Sequence, residues 1–198
     1  MNRDIKMNSQ TPSSSSPLTI SVIVPVKNGG AGFRKCLLAL TQAMSPSNEL
    51  IVVADGDTDG SWRVAEEFGA KVIRIPVSQG PARARNLGAR EAQGDVLFFI
   101  DADVVPPPST IPQVEAAFRH DPQLAALFGS YDEDPAETNF LSQYKNLSHH
   151  YVHQISNEEA STFWAGCGAI RRQIFMEFGG FDESYKKPCI EDIELGYR

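Results

Sequence analysis

The sequence has no long apolar run, few cysteines and no block of basic residues. No stretch approaches the ~20 consecutive apolar residues that a transmembrane helix needs. Only Cys36, Cys167 and Cys189 occur, far apart and without metal-ligand spacing, and their odd number favours a reducing compartment over a disulfide framework. The net charge of −7 argues against a nucleic-acid-binding surface. We therefore expect a cytoplasmic protein that does not bind nucleic acid.

The two ends of the sequence differ in character. Residues 1–17 are polar, rich in serine and without an apolar segment, so we predict a disordered tail rather than a signal peptide. The remaining residues, 18–198, suffice for one domain with a sizeable core. An amphipathic pattern stops at Arg198 without a C-cap glycine, which predicts a truncated C-terminus. A membrane anchor beyond Arg198 stays open and would place the protein at the inner face of the membrane.

Apolar strands alternate with amphipathic helices through the first half of the chain. The predicted strands are Leu18–Val26, Glu49–Ala54, Lys71–Ile75 and Asp95–Ile100. The residues at helical spacing between them are Phe33, Cys36, Leu37 and Leu40, then Trp62, Ala65 and Phe68, then the run from Pro81 to about Gln93. This order is typical of an α/β domain with a mostly parallel central sheet flanked by helices.

The alternation is less regular after residue 105. We predict helices near Ile111–His120, Phe140–Gln154 and Arg172–Phe178. We also predict strands near Leu124–Phe128 and Phe163–Ile170.

Two carboxylates, Asp101 and Asp103, follow the fourth predicted strand. If the strand continued through them, they would point to one side about 6 Å apart and repel by roughly 3 kcal/mol. Such a pair needs a cation or a shared proton, so a divalent metal site, a phosphoryl-transfer aspartate and an acid/base pair all fit. A solvated loop is the simpler alternative. Asp55 and Asp57 also follow a strand, and ligands of open α/β sheets bind outside the carboxyl ends of strands.

Two enzyme classes share part of this pattern. The run from Gly30 to Gly32, with Asp55 after the second strand, outlines a dinucleotide oxidoreductase, but Lys35 stands where close packing needs a small residue. The run into Asp101 and Asp103 is similar to the nucleophile motif of haloacid dehalogenase phosphatases, with Asp101 as nucleophile. That family places the motif on its first strand, whereas three strands come before it here.

Four segments in order resemble the family 2 glycosyltransferases of the GT-A fold: residues 21–30, 52–61, 80–104 and 166–198. The resemblance implies a nucleotide-binding half over 18–105 and an acceptor half over 106–198. It implies inverting, metal-dependent transfer of a hexosyl group from a UDP-, GDP- or dTDP-sugar. The implied acceptor is a glycan or lipid hydroxyl or phosphate, as in the synthesis of cell-envelope polysaccharides or glycolipids. A chain that binds the nucleotide-sugar without turnover is the alternative.

The resemblance also implies roles on the donor side. Asp103 would bind Mn²⁺ or Mg²⁺, with Asp101 reaching the ribose or a metal-bound water. Asp55 would contact the nucleoside, and the backbone of Pro25 and Val26 would flank the base.

This chain departs from the family at the second strand, where the usual sequence is DDGS. Ala54 replaces the first acid and Asp57 replaces the serine, although Asp57 is alternatively a turn residue that bonds its own backbone.

Arg83 and Arg85 lie in the first turns of a predicted helix, where the macrodipole disfavours cations. We expect them to face the donor diphosphate, with ion pairs to acids at the strand ends as the alternative.

The last implied roles lie in the acceptor half. Asp192 would be the general base and Glu191 its partner in the family's acidic pair, with the start of a solvated helix as the alternative. Trp164 would form the floor under the transferred sugar, or belong to the core.

His149 and His153 share a helix face that suits zinc, but no third ligand is evident, so an exposed helix surface is the favoured interpretation.

Overall fold

A six-stranded, mostly parallel sheet forms the centre of the computed structural model, which describes residues 18–133, 139–156 and 159–198. The predicted tail over residues 1–17 lies outside the described residues. The strands are β1 (Ile20–Val26), β2 (Glu49–Asp55), β3 (Lys71–Ile75), β4 (Val96–Ile100), β5 (Ala126–Phe128) and β6 (Cys167–Arg171). Their order is β3-β2-β1-β4-β6-β5; β1 to β4 are parallel, and β6 is antiparallel to both neighbours. The predicted fold class is confirmed.

Helices cover both faces of this sheet. They are α1 (Gly30–Ala43), α2 (Ser61–Glu67), α3 (Pro81–Glu91), α4 (Thr110–His120), α5 (Phe140–Ile155), α6 (Arg172–Glu177) and α7 (Glu191–Tyr197). Most predicted elements begin and end within two residues of these bounds. The strand predicted from Phe163 is the exception, because it begins only at Cys167.

The sheet has two buried faces because side chains alternate along each strand. Val22 and Val24 of β1 pack with α1, α2 and α4 on one face, and Ile23 packs with α3 and α6 on the other. The predicted apolar positions of α1 are all buried: Phe33, Cys36, Leu37 and Leu40. On the second face, α3 presents small residues and lies close to the sheet. Its Gly88 would place an added Cβ only 2.5 Å from Ile23 Cγ2.

Within the described part of the chain, no helix is both long and apolar enough to span a bilayer.

Candidate functional site

The carboxyl ends of the parallel strands bring the predicted acids to one edge of the sheet. β4 ends at Ile100, and the next residues turn, with the Val104 N–H donating to the Asp101 carbonyl at 3.1 Å. The strand therefore does not continue through Asp101 and Asp103, and the two side chains do not share one face of an extended strand. Asp103 is exposed, whereas Asp101 is partly buried and its backbone N–H donates to the Gly166 carbonyl at 3.0 Å.

Asp55 is a buried carboxylate that organises the start of α3. It accepts hydrogen bonds from Ser78 Oγ at 2.8 Å, the Gln79 N–H at 2.7 Å and the Gly80 N–H at 2.9 Å. These bonds hold the loop that leads into α3 and occupy both carboxylate oxygens. The predicted nucleoside contact would have to be made in addition to them.

The loops after β1 and β2 are bonded to each other. Asn28 Oδ1 accepts from the Thr58 N–H at 2.7 Å, and Gly29 N–H donates to Ser61 Oγ at 3.0 Å. Asp59 binds Ser61 through its side chain, and this bond lowers the pKa of Asp59. Sequence reasoning missed Asn28 and Asp59, although an aspartate two residues before a serine is a known turn pattern.

Asp57 does not behave as the turn residue that was the alternative prediction. Its Oδ2 is buried and has no hydrogen-bond partner among the residues that the structure describes. The oxygen therefore keeps its capacity to accept a hydrogen bond.

Both arginines at the start of α3 are paired with acids. Arg85 donates from one terminal nitrogen to Asp101 Oδ1 at 2.7 Å and from the other to Glu191 Oε1 at 2.8 Å. Arg83 lies 3.2 Å from Glu183 Oε2 and its side chain is 43% exposed. The Arg85–Asp101 pair is the predicted alternative, an ion pair with an acid at a strand end, whereas the partner of Arg83 lies between α6 and α7. A diphosphate contact remains open to the more exposed Arg83.

Glu191 and Asp192 are adjacent at the start of α7 but have different environments. Glu191 is buried, and besides Arg85 it accepts the Cys189 N–H at 2.9 Å. Asp192 is only partly buried and lines an open cleft. Its Oδ2 accepts the Ala165 N–H at 3.0 Å, and its Oδ1 accepts the Ile193 N–H at 2.8 Å.

The acids after β4 and those of α7 share one electrostatic environment. Burial raises the pKa of Asp101, Arg85 opposes that rise, and the charges of Asp103 and Asp192 add to it. The acids that the sequence predicted from distant segments are therefore brought together.

The cleft beside Asp192 has a volume of about 1420 Å³ and an aromatic wall. Tyr131 stacks on His149 at 5.3 Å and packs against Trp164 at 5.0 Å between ring centroids. Burial, followed by the charges of Asp101 and Asp103, raises the pKa of Tyr131, so this wall borders the acidic site. No local sequence pattern identified Tyr131 as part of it.

The histidine face of α5 is turned towards this wall. His153 packs edge-on against Trp164 at 5.7 Å, and burial lowers its pKa. Within the described ranges, no cluster of three or more His, Cys, Asp or Glu side chains could hold a metal, so the zinc alternative finds no third ligand. Trp164 lines the cleft, as a sugar floor would, and is partly buried.

Solved structures of glycosyltransferases share this fold. The mannosyltransferase from Pyrobaculum calidifontis in complex with GDP-Man and Mn²⁺ matches with a TM-score of 0.67 and 21% identity, covering 94% of this chain and 54% of that one. TarS from S. aureus in complex with UDP-GlcNAc matches with a TM-score of 0.69 and 22% identity, covering 90% and 52%. These likenesses identify the fold as GT-A.

Curated relatives are also glycosyltransferases. A probable glycosyltransferase from Bacillus subtilis is 27% identical over 195 residues, which are 90% of this chain and 46% of the relative. An uncharacterised glycosyltransferase from Haemophilus influenzae is 30% identical over 190 residues, 89% of this chain and 60% of the relative. The chain therefore spans about half the length of these relatives.

The family model for glycosyl transferase family 2 matches residues 21–179. This match covers most of the chain, including all six strands and the acids after β4. The chain belongs to glycosyl transferase family 2.

Proposed function

We propose that this chain transfers a sugar from a nucleoside diphosphate donor to an acceptor hydroxyl or phosphate, with inversion and with help from Mn²⁺ or Mg²⁺. The observation that carries the proposal is the proximity of two acidic groups, one of which lines the cleft: Arg85 bridges Asp101 to Glu191, and the charges of Asp103 and Asp192 both raise the pKa of Asp101. Asp101 and Asp103 come from the end of β4, and Asp192 comes from the start of α7. The first group suits a metal-bound diphosphate, and the second suits proton removal from an acceptor.

The acids after β4 fit a divalent cation. Asp103 is exposed, and its charge raises the pKa of Asp101, so this part of the site carries excess negative charge. Mg²⁺ is usually held by one or two carboxylates together with substrate phosphates and water. We assign Asp103 as the metal ligand, with Asp101 beside it. The cation, when bound, would stabilise the charge that develops on the leaving diphosphate.

Asp192 is the proposed general base. Two backbone N–H groups, from Ala165 and Ile193, orient its carboxylate at the edge of the cleft. Glu191 is unsuited to that task because it is buried and bonded to Arg85 and Cys189. A base removes the acceptor's proton as its oxygen attacks the anomeric carbon, and such catalysis typically contributes 10²–10⁴-fold.

The remaining donor contacts are proposed from the same edge of the sheet. The backbone of Pro25 and Val26 lies at the end of β1, beside β2 and Asp55. Trp164 is the proposed floor of the sugar subsite.

The oxidoreductase and phosphatase alternatives receive no support from the family match. The phosphatase alternative is also disfavoured by Asp101 itself, which is paired with a buried arginine rather than left free as a nucleophile. A protein that binds donor without turnover remains as an outcome of the test below.

The test titrates UDP, GDP and dTDP into the chain by calorimetry, with and without Mn²⁺. We expect Mn²⁺-dependent binding of one nucleotide, weakened at least tenfold by Asp103→Asn and unchanged by Glu66→Gln, an exposed carboxylate on α2. Asp192→Asn should retain binding and lose at least ~10²-fold in release of nucleoside diphosphate from UDP-GlcNAc or GDP-mannose. Absence of nucleotide binding by a folded sample would refute the proposal, and binding without release would favour the non-catalytic alternative.

A further inference from the structure

Arg85 connects two acids that are distant in sequence. Its side chain is only 6% exposed, and its two terminal nitrogens bind Asp101 at 2.7 Å and Glu191 at 2.8 Å. A guanidinium group offers two nitrogens in a fixed fork, which suits the simultaneous binding of two carboxylates. This bridge is therefore a buried structural connection rather than a surface ion pair.

Each bridged acid is next to a residue with a proposed chemical role. Asp101 is two residues before the proposed metal ligand Asp103, and Glu191 directly precedes the proposed base Asp192. Removing the bridge would leave the Glu191 carboxylate buried, with its hydrogen bond from the Cys189 N–H still in place. Arg85 thus joins the two parts of the site through side chains, alongside the link that the main chain of Ala165 and Gly166 makes between Asp192 and Asp101.

The rest of α3 supports the same segment before α7. Asn86 binds the main chain of Phe181 twice, accepting its N–H at 2.9 Å and donating to its carbonyl at 2.8 Å. Arg90 binds Glu183 at 2.8 Å. The start of α3 touches the segment too, since a Cβ on Gly80 would lie 2.6 Å from the Lys186 carbonyl oxygen. Contacts from α3 and from Gly80 before it therefore reach residues 181–191 at several points along the segment.

We propose that Arg85 is a positioning residue: it sets the spacing between the donor-binding acids after β4 and the base on α7, and it is not itself a ligand of the donor. This inference rests on the proposed function. Both terminal nitrogens of Arg85 are already used by protein acids, and the side chain has little exposed surface to offer a diphosphate. If Arg85 has this positioning role, its substitution should lower the rate of turnover and leave the affinity for the nucleotide nearly unchanged.

The test compares Arg85→Lys with a matched control, Arg90→Lys, on the same helix. Lysine keeps the positive charge, but its single nitrogen cannot reproduce the two-pronged bridge. We expect Arg85→Lys to bind UDP, GDP or dTDP with Mn²⁺ within threefold of the wild-type Kd. Release of nucleoside diphosphate from UDP-GlcNAc or GDP-mannose should fall at least tenfold. Arg90→Lys should change neither quantity, because Arg90 binds Glu183 through a single nitrogen and lysine can keep that ion pair.

Hydrogen exchange measured by mass spectrometry supplies a readout that does not depend on activity. Arg85→Lys should speed exchange in two separate peptides, one containing Asp101 and one containing Cys189, and leave the peptide of β2 unchanged. Arg90→Lys should not affect the peptide containing Asp101. If Arg85→Lys is unstable, the pair Arg85→Gln with Glu191→Gln removes the bridge without leaving Glu191 as a buried, unpaired carboxylate, and the same two peptides should respond.

The alternatives give different results. A Kd weakened at least tenfold with unchanged turnover of bound donor would identify Arg85 as a donor ligand and overturn the inference. Uniformly faster exchange in all peptides, or no change in the two named ones, would also overturn it. Failure of the wild-type chain to bind any of the nucleotides would refute the proposed function. The positioning role would then be refuted as well, even if hydrogen exchange showed that Arg85 links the two peptides.

Discussion

The three cysteines differ in their access to solvent, and this difference is testable residue by residue. Burial, followed by the charges of Asp103 and Asp101, raises the pKa of Cys36 to about 12. Burial raises the pKa of Cys167 to about 11, and a hydrogen bond from Gly129 opposes that rise. Cys189 is exposed and lines the cleft beside Asp192.

We predict that iodoacetamide at about pH 8 modifies Cys189 alone in the folded protein. The thiolate is the reactive form, and the thiols of the buried Cys36 and the partly buried Cys167 stay protonated at that pH. Peptide mass spectrometry before and after unfolding measures the result, and Cys189→Ser should take up no label until it is unfolded. Native labelling of Cys36 at a rate similar to Cys189 would contradict the assignment of burial.

At the scale of elements, α3 has two roles that need close contact with the sheet. It carries Arg85 and Asn86, and its glycine allows its backbone to approach β1 and β2. A Cβ on Gly88 would meet Ile23 Cγ2 at 2.5 Å and Val53 Cγ2 at 3.3 Å. Because both neighbours are fully buried and branched, they have little freedom to move away.

Gly88→Ala and Gly32→Ala should therefore change stability in opposite directions. Alanine favours a helix over glycine by ~1 kcal/mol, but overpacking a core costs ~1–3 kcal/mol. Gly88→Ala should lower the free energy of unfolding by about 1–2 kcal/mol. Gly32 lies in α1 with its nearest potential contact at 4.0 Å, so Gly32→Ala should raise the free energy of unfolding by about 0.5–1 kcal/mol. Urea denaturation measures both, and equal effects would exclude the close packing of α3.

At the scale of the whole molecule, Glu183 links α3 to the segment before α7 and makes stability depend on pH. Burial acts to raise its pKa, but hydrogen bonds from Asn86 and Arg90 and the charges of Arg90 and Arg83 lower it from the usual 4.5. A carboxylate with a lowered pKa stabilises the folded state above pH 4.5 and loses that contribution as the pH falls through the folded pKa.

We predict that Glu183→Gln is less stable than the wild type near pH 7 and that this difference shrinks below pH 4.5. Denaturant titrations at the two pH values measure it. Glu66→Gln, which changes an exposed carboxylate, should show almost no difference at either pH. A difference for Glu183→Gln that grows as the pH falls would reverse the sign and contradict the pairing.

The sequence predicted the parts of the fold that local patterns determine. Alternating apolar residues identified the strands, and the parallel order placed Asp55 and Asp101 at one edge. The second partner of Arg85, Glu191, was not predictable, because it is distant in sequence and no local pattern links the two residues. Contacts with residues distant in sequence also explain why β6 begins only at Cys167. The Ala165 N–H donates to the Asp192 side chain, and the Gly166 carbonyl accepts from the Asp101 N–H. Tertiary hydrogen bonds thus replaced the strand that composition favoured.

The two hydrogen bonds between the Asn86 side chain and Phe181 use only main-chain atoms of Phe181, and this has a consequence for how the segment can vary. The span from Phe181 to Glu191 is fixed at one end by Asn86 and at the other by Arg85, while residues 186–190 between them are exposed. The stretch contributes main-chain contacts to Gly80 and Glu191, so exchange of its side chains should leave the Glu191 end of the span in place. It therefore offers protein engineers a set of replaceable side chains beside the cleft that Asp192 lines.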